Sequence, residues 1–269
     1  GEIIFSLTAD GLADITKAGA ADMEFYYTIT SGGLSYTIQV IMTAKDVFSS
    51  AEYHNTFTEF TPATDINEWH SGKTGIGKAY SITSGDSADY VNLDTQLTAA
   101  TLNSGAGNDH ISVTAAAGKT VLDNNTTITL GAGRDSVIIT AVNSSATSQA
   151  VAMNKSTLNA TGDNIGDQIN ITGTIKTSAI NAGDGNDTVS ITTSVINGVA
   201  VDASSNISLG NGDDKLDVNG RVISSKITAG DGADDISLRA EVSSAGTPAL
   251  NTSEIDLGSG ANQLNITAK

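Results

Sequence analysis

Ala182-Gly183-Asp184-Gly185-Asn186-Asp187-Thr188-Val189-Ser190-Ile191 is the stretch that decides the fold. It reads G-x-G-x-D-x-U-x-U, with U a large aliphatic residue. The same string returns at Gly105–Val113, Gly131–Ile139, Gly210–Val218 and Gly230–Leu238. Gly258–Ile266 carries Asn262 in place of the Asp, Gly85–Leu93 carries Ser87 in place of the second Gly, and Gly162–Ile171 holds one extra residue. The turn acids are Asp89, Asp109, Asp135, Asp167, Asp187, Asp214 and Asp234, then Asn262, at spacings of 20, 26, 32, 20, 27, 20 and 28 residues. Twenty residues is therefore the base period, and the longer copies contain insertions.

The aliphatic positions keep step with the acids. Two and four residues after them stand Val91/Leu93, Ile111/Val113, Val137/Ile139, Ile169/Ile171, Val189/Ile191, Leu216/Val218 and Ile236/Leu238. Seven residues before them stand Leu102, Ile128, Ile180, Ile207, Ile227 and Ile255, and eight after them Leu97, Ile175, Val195, Val222 and Val242. Period two means short strands with one face turned inward. A unit of about 20 residues cannot bury that face alone, whereas stacked units can. The expected fold is all-β: a parallel β-solenoid of about eight coils over residues 81–269. Insertions at 115–127, 141–157, 193–206 and 240–253 lie on the return path opposite the glycine turn. They should emerge on one side of the rod, as surface loops or as a lateral contact face.

Residues 1–80 differ in kind. All twelve aromatic residues lie between Phe5 and Tyr90. Met23–Thr30 and Leu34–Met42 flank Ser31-Gly32-Gly33 and read as a β-hairpin. Glu2–Thr8 is a short apolar run, Ala44–Phe60 has roughly helical apolar spacing, and Thr61–Lys78, with Pro62 and three Gly, reads as loop. Together they suggest an aromatic-rich β cap or assembly domain, with the border of the two regimes near residue 80. Trp69 and the tyrosines near it are the candidate platform for a cell-surface glycan.

Composition narrows the function. The chain has 269 residues, no Cys and a formal charge of −17. No thiolate metal site or disulfide framework is possible. The charge disfavours nucleic acid and anionic lipid while attracting cations, and no apolar run is long enough for a membrane helix. No leader segment is recognisable at the start. An acidic, Cys-free chain suits an extracellular, bacterial cell-surface location. There is no G-x-S-x-G elbow, and Gly72-Lys73-Thr74 lacks the upstream Gly of a phosphate loop. His54, His70 and His110 are isolated in sequence, and the aromatic-free rod lacks sugar platforms. No enzyme activity is expected. The variable turn positions hold no regular Thr or Asn row of the kind an ice-binding surface would use.

Stacking aligns the turn acids in a column. At ~4.8 Å and an effective dielectric of about 20, each neighbouring like-charge pair costs on the order of 3 kcal/mol before relaxation. A hard cation between turns would remove that cost, and oxygen ligands without His or Cys suit Ca²⁺. The alternative is that each Asp only bonds local backbone.

The copies resemble the G-G-x-G-x-D-x-U-x nonapeptide of RTX, or haemolysin-type, calcium-binding repeats, over about residues 80–269. The resemblance implies a right-handed parallel β-roll that binds Ca²⁺ between stacked turns outside the cell. It implies Asp109, Asp135, Asp187, Asp214 and Asp234, and Asp167 in the longer copy, as side-chain ligands, with carbonyls near Gly105, Gly131, Gly183, Gly210 and Gly230 completing the shells. The family's motif recurs every nine residues and gives two calcium turns per coil. Here one copy per coil allows one column only. The first Gly of the family's pair is replaced at Ser104, Leu130, Leu209, Ala229 and Leu257. The expected role is structural, as a self-associating subunit of a surface layer, filament or adhesin. End-to-end contact would join the coil at Ile266–Lys269 to the N-terminal domain of the next subunit. The other readings are a secretion and folding module of a larger secreted enzyme, and a glycan-binding adhesin segment.

Overall fold

The computed structural model describes the strand backbones Met23–Ser31, Leu34–Met42, Thr56–Phe57, Asn67–Ser71 and Ser81–Thr83, and residues 88–243 and 246–269 with their side chains. Two compact units divide at Thr56/Phe57, upstream of the composition border near residue 80. The first contains an antiparallel hairpin in continuous register, from Met23 opposite Met42 to Ser31 opposite Leu34. This is the expected hairpin. Glu2–Thr8, and Ala44–Phe60 apart from the strand Thr56–Phe57, lie outside the described residues.

The second unit is a parallel β-solenoid of three sheets. Each full coil contributes one strand to each sheet. The pre-turn sheet has nine strands, beginning with Thr56–Phe57 and Ser81–Thr83 and ending with Glu254–Asp256. The post-turn sheet also has nine, from Asn67–Ser71 to Gln263–Ala268, and the return sheet has seven, from Leu97–Thr98 to Leu250–Asn251. The G-x-G-x-D turn joins the first sheet to the second.

Register follows the aliphatic columns. Val91, Ile111, Val137, Ile169, Val189, Leu216, Ile236 and Leu264 are consecutive partners in the post-turn sheet. Ile82, Leu102, Ile128, Leu158, Ile180, Ile207, Ile227 and Ile255 do the same in the pre-turn sheet. From Val91 to Leu238 these columns are buried and form one core cluster. Shifting one strand by a residue would turn its aliphatics outward and its polar residues inward, so burial fixes the register. At about 25 cal/mol per Å² of apolar surface, each buried Ile or Leu opposes such a slip by ~2 kcal/mol.

Two sequence expectations change here. Asn67–Ser71 is a strand, not loop, and its register with the next coil runs from Asn67 beside Asp89 to Ser71 beside Leu93. Its own sequence, NEWHS, carries little alternation, and the pairing is set by the coil it lies against. The return strand is not always found eight residues after the acid. Leu97, Ile175 and Val222 are buried there in the short coils, but Val195 and Val242 are only half-buried. In the longer coils the inserted residues come first, and Leu122, Met153 and Val201 fill the return-strand core.

The long insertions leave between the post-turn and return strands, on one side, as expected, and only the single extra residue of Gly162–Asp167 lies in a glycine turn. Two of the three 20-residue coils turn that corner through Gly173 and Gly220, at φ +123° and +144°, and the first turns it through Asp94-Thr95-Gln96. A Cβ on Gly173 would stand 2.7 Å from Cβ of Ala141 in the preceding long coil. Long coils therefore fold over the short ones.

Candidate functional site: a column of buried aspartates

The geometry of the turn is dictated by glycine and aspartate together. Gly210 has φ +113°, and a Cβ there would lie 1.5 Å from the carbonyl oxygen of Gly183 in the preceding coil. Only glycine lets successive turns stack this closely. With the turns in contact, each Asp side chain folds inward rather than out to solvent. Asp89, Asp109, Asp135, Asp167, Asp187, Asp214 and Asp234 are all buried.

One carboxylate oxygen of each acid from Asp109 to Asp234 is committed to the backbone of the coil before it. The amides of Asp89, Asp109, Asp135, Asp167, Asp187 and Asp214 donate to Oδ1 of Asp109, Asp135, Asp167, Asp187, Asp214 and Asp234, at 2.7–3.0 Å. The amide of Asp234 donates to Oδ1 of Asn262 at 2.8 Å. A second clamp runs the other way one residue earlier. Asn108, Asn186 and Asp213 each accept from the following coil, through the amides of Arg134, Asp213 and Ala233. Consecutive turns are thus pinned from both sides. The extra residue in Gly162–Asp167 does not interrupt the ladder, since Asp167 both donates and accepts within it.

The second carboxylate oxygen is what makes this a site. Oδ2 of Asp89, Asp109, Asp135, Asp187, Asp214 and Asp234 is buried and has no hydrogen-bond partner among the described residues. A buried, ionised and unpaired oxygen is costly. Burial accordingly pushes the carboxyls of Asp109, Asp167 and Asp214 up to about 7 and that of Asp187 to about 6. The ladder amides, and at Asp109 the Ser104 hydroxyl as well, pull the other way but do not overcome the loss of water, and neighbouring carboxylates raise these four further. Asp135 and Asp234 are raised by the same burial.

Asn262 shows what such an atom faces. It occupies the ladder position in the last copy, and its Nδ2 donates to the carbonyl of Leu257, five residues earlier, at 2.6 Å. By repeat register the carbonyls of Ala182, Leu209 and Ala229 stand at the equivalent position, five residues before Asp187, Asp214 and Asp234.

The donor set suits a hard cation in kind: it is all oxygen, acid-rich, and offers orphaned buried carboxylate atoms. Among the described residues no three Asp, Glu or His side chains converge on one point, so the acids form a line rather than a cage. Backbone oxygens would have to complete any shell. Of the glycine carbonyls that the RTX resemblance offers, those of Gly105 and Gly230 also accept ladder amides, from Ala132 at 3.1 Å and Ser259 at 2.9 Å. Each keeps one lone pair for another partner. Gly131, Gly183 and Gly210 belong to the same stacked column, each carbonyl lying against the following turn.

The remaining candidates fall elsewhere. The backbone of Trp69 lies beside Val91, whose register column is filled by buried aliphatics from there on. His70 is in the same strand. His110 stacks on Tyr90 on the outer post-turn face, with ring centroids 4.7 Å apart. Tyr90 and His110 directly follow Asp89 and Asp109, but they stand on the outer face while the acids are buried.

A second ladder escaped the sequence reading. At the corner between return and pre-turn sheets, the hydroxyl oxygens of Thr126, Ser178, Ser205 and Ser253 accept amides of Ala100, Ser156, Ser178 and Ser225 in the preceding coil. The same hydroxyls donate to carbonyls of their own coil, as in Ser178 to Lys176 at 2.6 Å. The signal was present: Ser or Thr stands nine residues before Asp135, Asp187, Asp214, Asp234 and Asn262.

No protein-family model matches this chain, and neither does any curated protein or solved structure.

Proposed function

We propose that this is an extracellular calcium-binding structural protein, a subunit of a bacterial surface layer, filament or adhesin. The observation that carries the reading is the line of buried Oδ2 atoms without hydrogen-bond partners. Ca²⁺ held by Oδ2 of successive aspartates, with backbone oxygens from the glycine turns, would supply the missing positive charge. Asp109, Asp135, Asp187, Asp214 and Asp234 are the residues assigned to it, with Asp167 in the longer turn. The chain's own contribution is positional. The ladder amides fix Oδ1 and so aim Oδ2, while glycine keeps the turns close enough for neighbouring acids to share an ion. The formal charge of −17 favours cation uptake and suits a calcium-rich exterior.

The test is thermal unfolding in millimolar calcium and after chelation, with elemental analysis of the purified chain. A ligand that binds only the folded state raises the melting temperature. Chelation should lower it, and calcium, not magnesium, should restore it. An unchanged transition together with no calcium in the purified protein would overturn the reading.

A further inference from the structure

Six of the seven column aspartates keep Oδ2 buried, and Asp167 is the exception. Its Oδ2 is not among the buried, unpartnered oxygens, and the ladder bond that its side chain accepts uses Oδ1. The residue is also the most exposed of the seven, at 4 %. It stands fourth in the line. The one Oδ2 that reaches solvent therefore lies in the middle of the column, not at an end.

The opening has a cause in the chain. Gly162–Asp167 carries one residue more than the other turns. Where ordinary turns stack, a Cβ on Gly131, Gly210, Gly212 or Gly232 would lie 1.5–1.9 Å from a carbonyl oxygen of the turn before. Between the long turn and the next one this contact loosens. A Cβ on Gly183 would lie 2.9 Å from the Ala160 carbonyl oxygen, and one on Gly185 would lie 2.7 Å from the Ile165 carbonyl carbon. These two turns still meet closely at one point, where a Cβ on Gly166 would lie 2.0 Å from the Asn186 carbonyl oxygen. The backbone clamps differ in the same way. The Gly185 and Gly212 amides donate to the Asn211 and Asp231 carbonyls of the next turn, both at 2.7 Å. Among the described residues the long turn makes no such bond to the Gly183 turn. The Asp167 amide on Oδ1 of Asp187 is what joins this seam.

Asp163 belongs to the same turn and is half-buried. Its Oδ2 accepts the Gly133 amide and its Oδ1 the Ile165 amide, both at 2.8 Å. The side chain is thus fixed in place by backbone. Besides burial, which acts most strongly, its charge raises the carboxyls of Asp135, Asp167 and Asp187, so it lies near all three. We propose that the seam between the Gly162–Asp167 and Gly183–Asp187 turns is the port of the aspartate column, where Asp163 and Oδ2 of Asp167 receive a divalent cation from solvent and pass it to the buried acids on either side. This rests on the reading of the column as a calcium site and states where the ion enters and leaves. A hard cation exchanges water for carboxylate oxygens one at a time, and these two acids offer it the first. The other six Oδ2 atoms are buried, and reaching them directly requires stacked backbones to part.

The experiment is stopped-flow mixing of the full chain, calcium-loaded against a fluorescent chelator and calcium-free against calcium. The parent is compared with three variants. In the first, Gly162–Gly166 is replaced by Gly-Asp-Gly-Asn, the sequence of Gly183–Asn186, which removes the extra residue and keeps an acid. Loading and release should both slow by about tenfold or more, with affinity unchanged, because the ion must wait for local opening of the stack. Asp163→Asn should slow loading by about threefold or more through loss of the local field. Asp184→Asn makes the same charge change at a closed turn and should alter loading by less than about twofold. Matching circular dichroism spectra in calcium establish that the variants are folded. If the shortened turn does not fold, the two Asn variants decide. If the shortened turn exchanges calcium at the parent's rates, or Asp163→Asn loads no more slowly than Asp184→Asn, the seam is not the port, although the calcium reading stands. If the parent takes up no calcium, both fall.

Discussion

Asp214→Asn separates the cost of a bare carboxylate column from the benefit of a filled one. In the parent, Oδ1 of Asp214 accepts the Asp187 amide at 2.7 Å and Oδ2 has no partner among the described residues. Burial raises this carboxyl from 3.8 to about 7. That is about three units, and at 1.36 kcal/mol per unit the ionised group costs the metal-free fold about 4 kcal/mol at pH 8. Asn retains the Oδ1 acceptor and turns the second atom into a donor, as Asn262 does towards Leu257. In EDTA at pH 8 the variant should therefore be more stable by up to about 4 kcal/mol, or roughly 10 °C in melting temperature for a unit of this size. At pH 4 the gain should nearly vanish, because the parent carboxyl is then protonated. In saturating calcium the sign should reverse, since the variant has lost a ligand. Asp214→Ala is the control. It removes the acceptor, strands the buried Asp187 amide at a cost of about 1–3 kcal/mol, and should gain less than Asn under every condition. Circular dichroism melts of the three proteins with and without EDTA provide the comparison. If Asp214→Asn melts below the parent in EDTA at pH 8, the carboxylate is not a burden in the bare fold and the electrostatic argument fails.

Three further outcomes follow from the same geometry. The metal-free protein should lose stability as pH rises from about 4 to about 7. Asp109, Asp167 and Asp214 bind protons more tightly folded than unfolded over that window, so their contribution is full below the unfolded value and is lost through the folded one. Calcium should flatten or reverse the slope in urea melts at fixed pH, because it replaces those protons. Ser178→Ala should cost about 1–3 kcal/mol in denaturant unfolding, since the Ser156 amide loses its 3.1 Å acceptor and the Lys176 carbonyl one of its two donors. A cost below about 0.5 kcal/mol would mean that the hydroxyl ladder contributes nothing to joining coils. Gly210→Ala should be far worse, since its Cβ would lie 1.5 Å from the Gly183 carbonyl oxygen and neither backbone can yield without separating the coils. Loss of soluble protein, or a melting temperature depressed by more than about 10 °C, is expected.

The aspartate column also shows how an expectation can be right in place and incomplete in chemistry. Spacing alone aligned the acids and identified the strain of like charges. It left open whether each Asp holds an ion or only bonds local backbone. In the fold both oxygens have separate fates. Oδ1 belongs to a cross-coil ladder, and Oδ2 is buried without a protein partner. Whether a side chain at a glycine turn points in or out depends on how closely successive turns approach, which no single repeat encodes. The hydroxyl ladder was overlooked for a related reason. Ser and Thr are common throughout the chain, and only the stacked corner distinguishes Ser178 and Ser205, buried acceptors, from their exposed neighbours.

What the sequence determined by itself was everything that repeats locally: the coil length, the inward columns from Val91 to Leu238, the glycine turn, and the corner from which insertions leave. These follow from period two within a strand and from burial of an aliphatic face, both readable one coil at a time. The tertiary structure alone decided the relations between coils. It placed Asn67–Ser71 in the post-turn sheet, drew the long coils together across the short ones through Asn143 and Asn197, and buried the aspartates against the preceding backbone. Those relations depend on the roughly 4.8 Å separation of stacked strands. At that distance a neighbour's amide can satisfy one oxygen of a carboxylate while the surrounding chain shuts water away from the other.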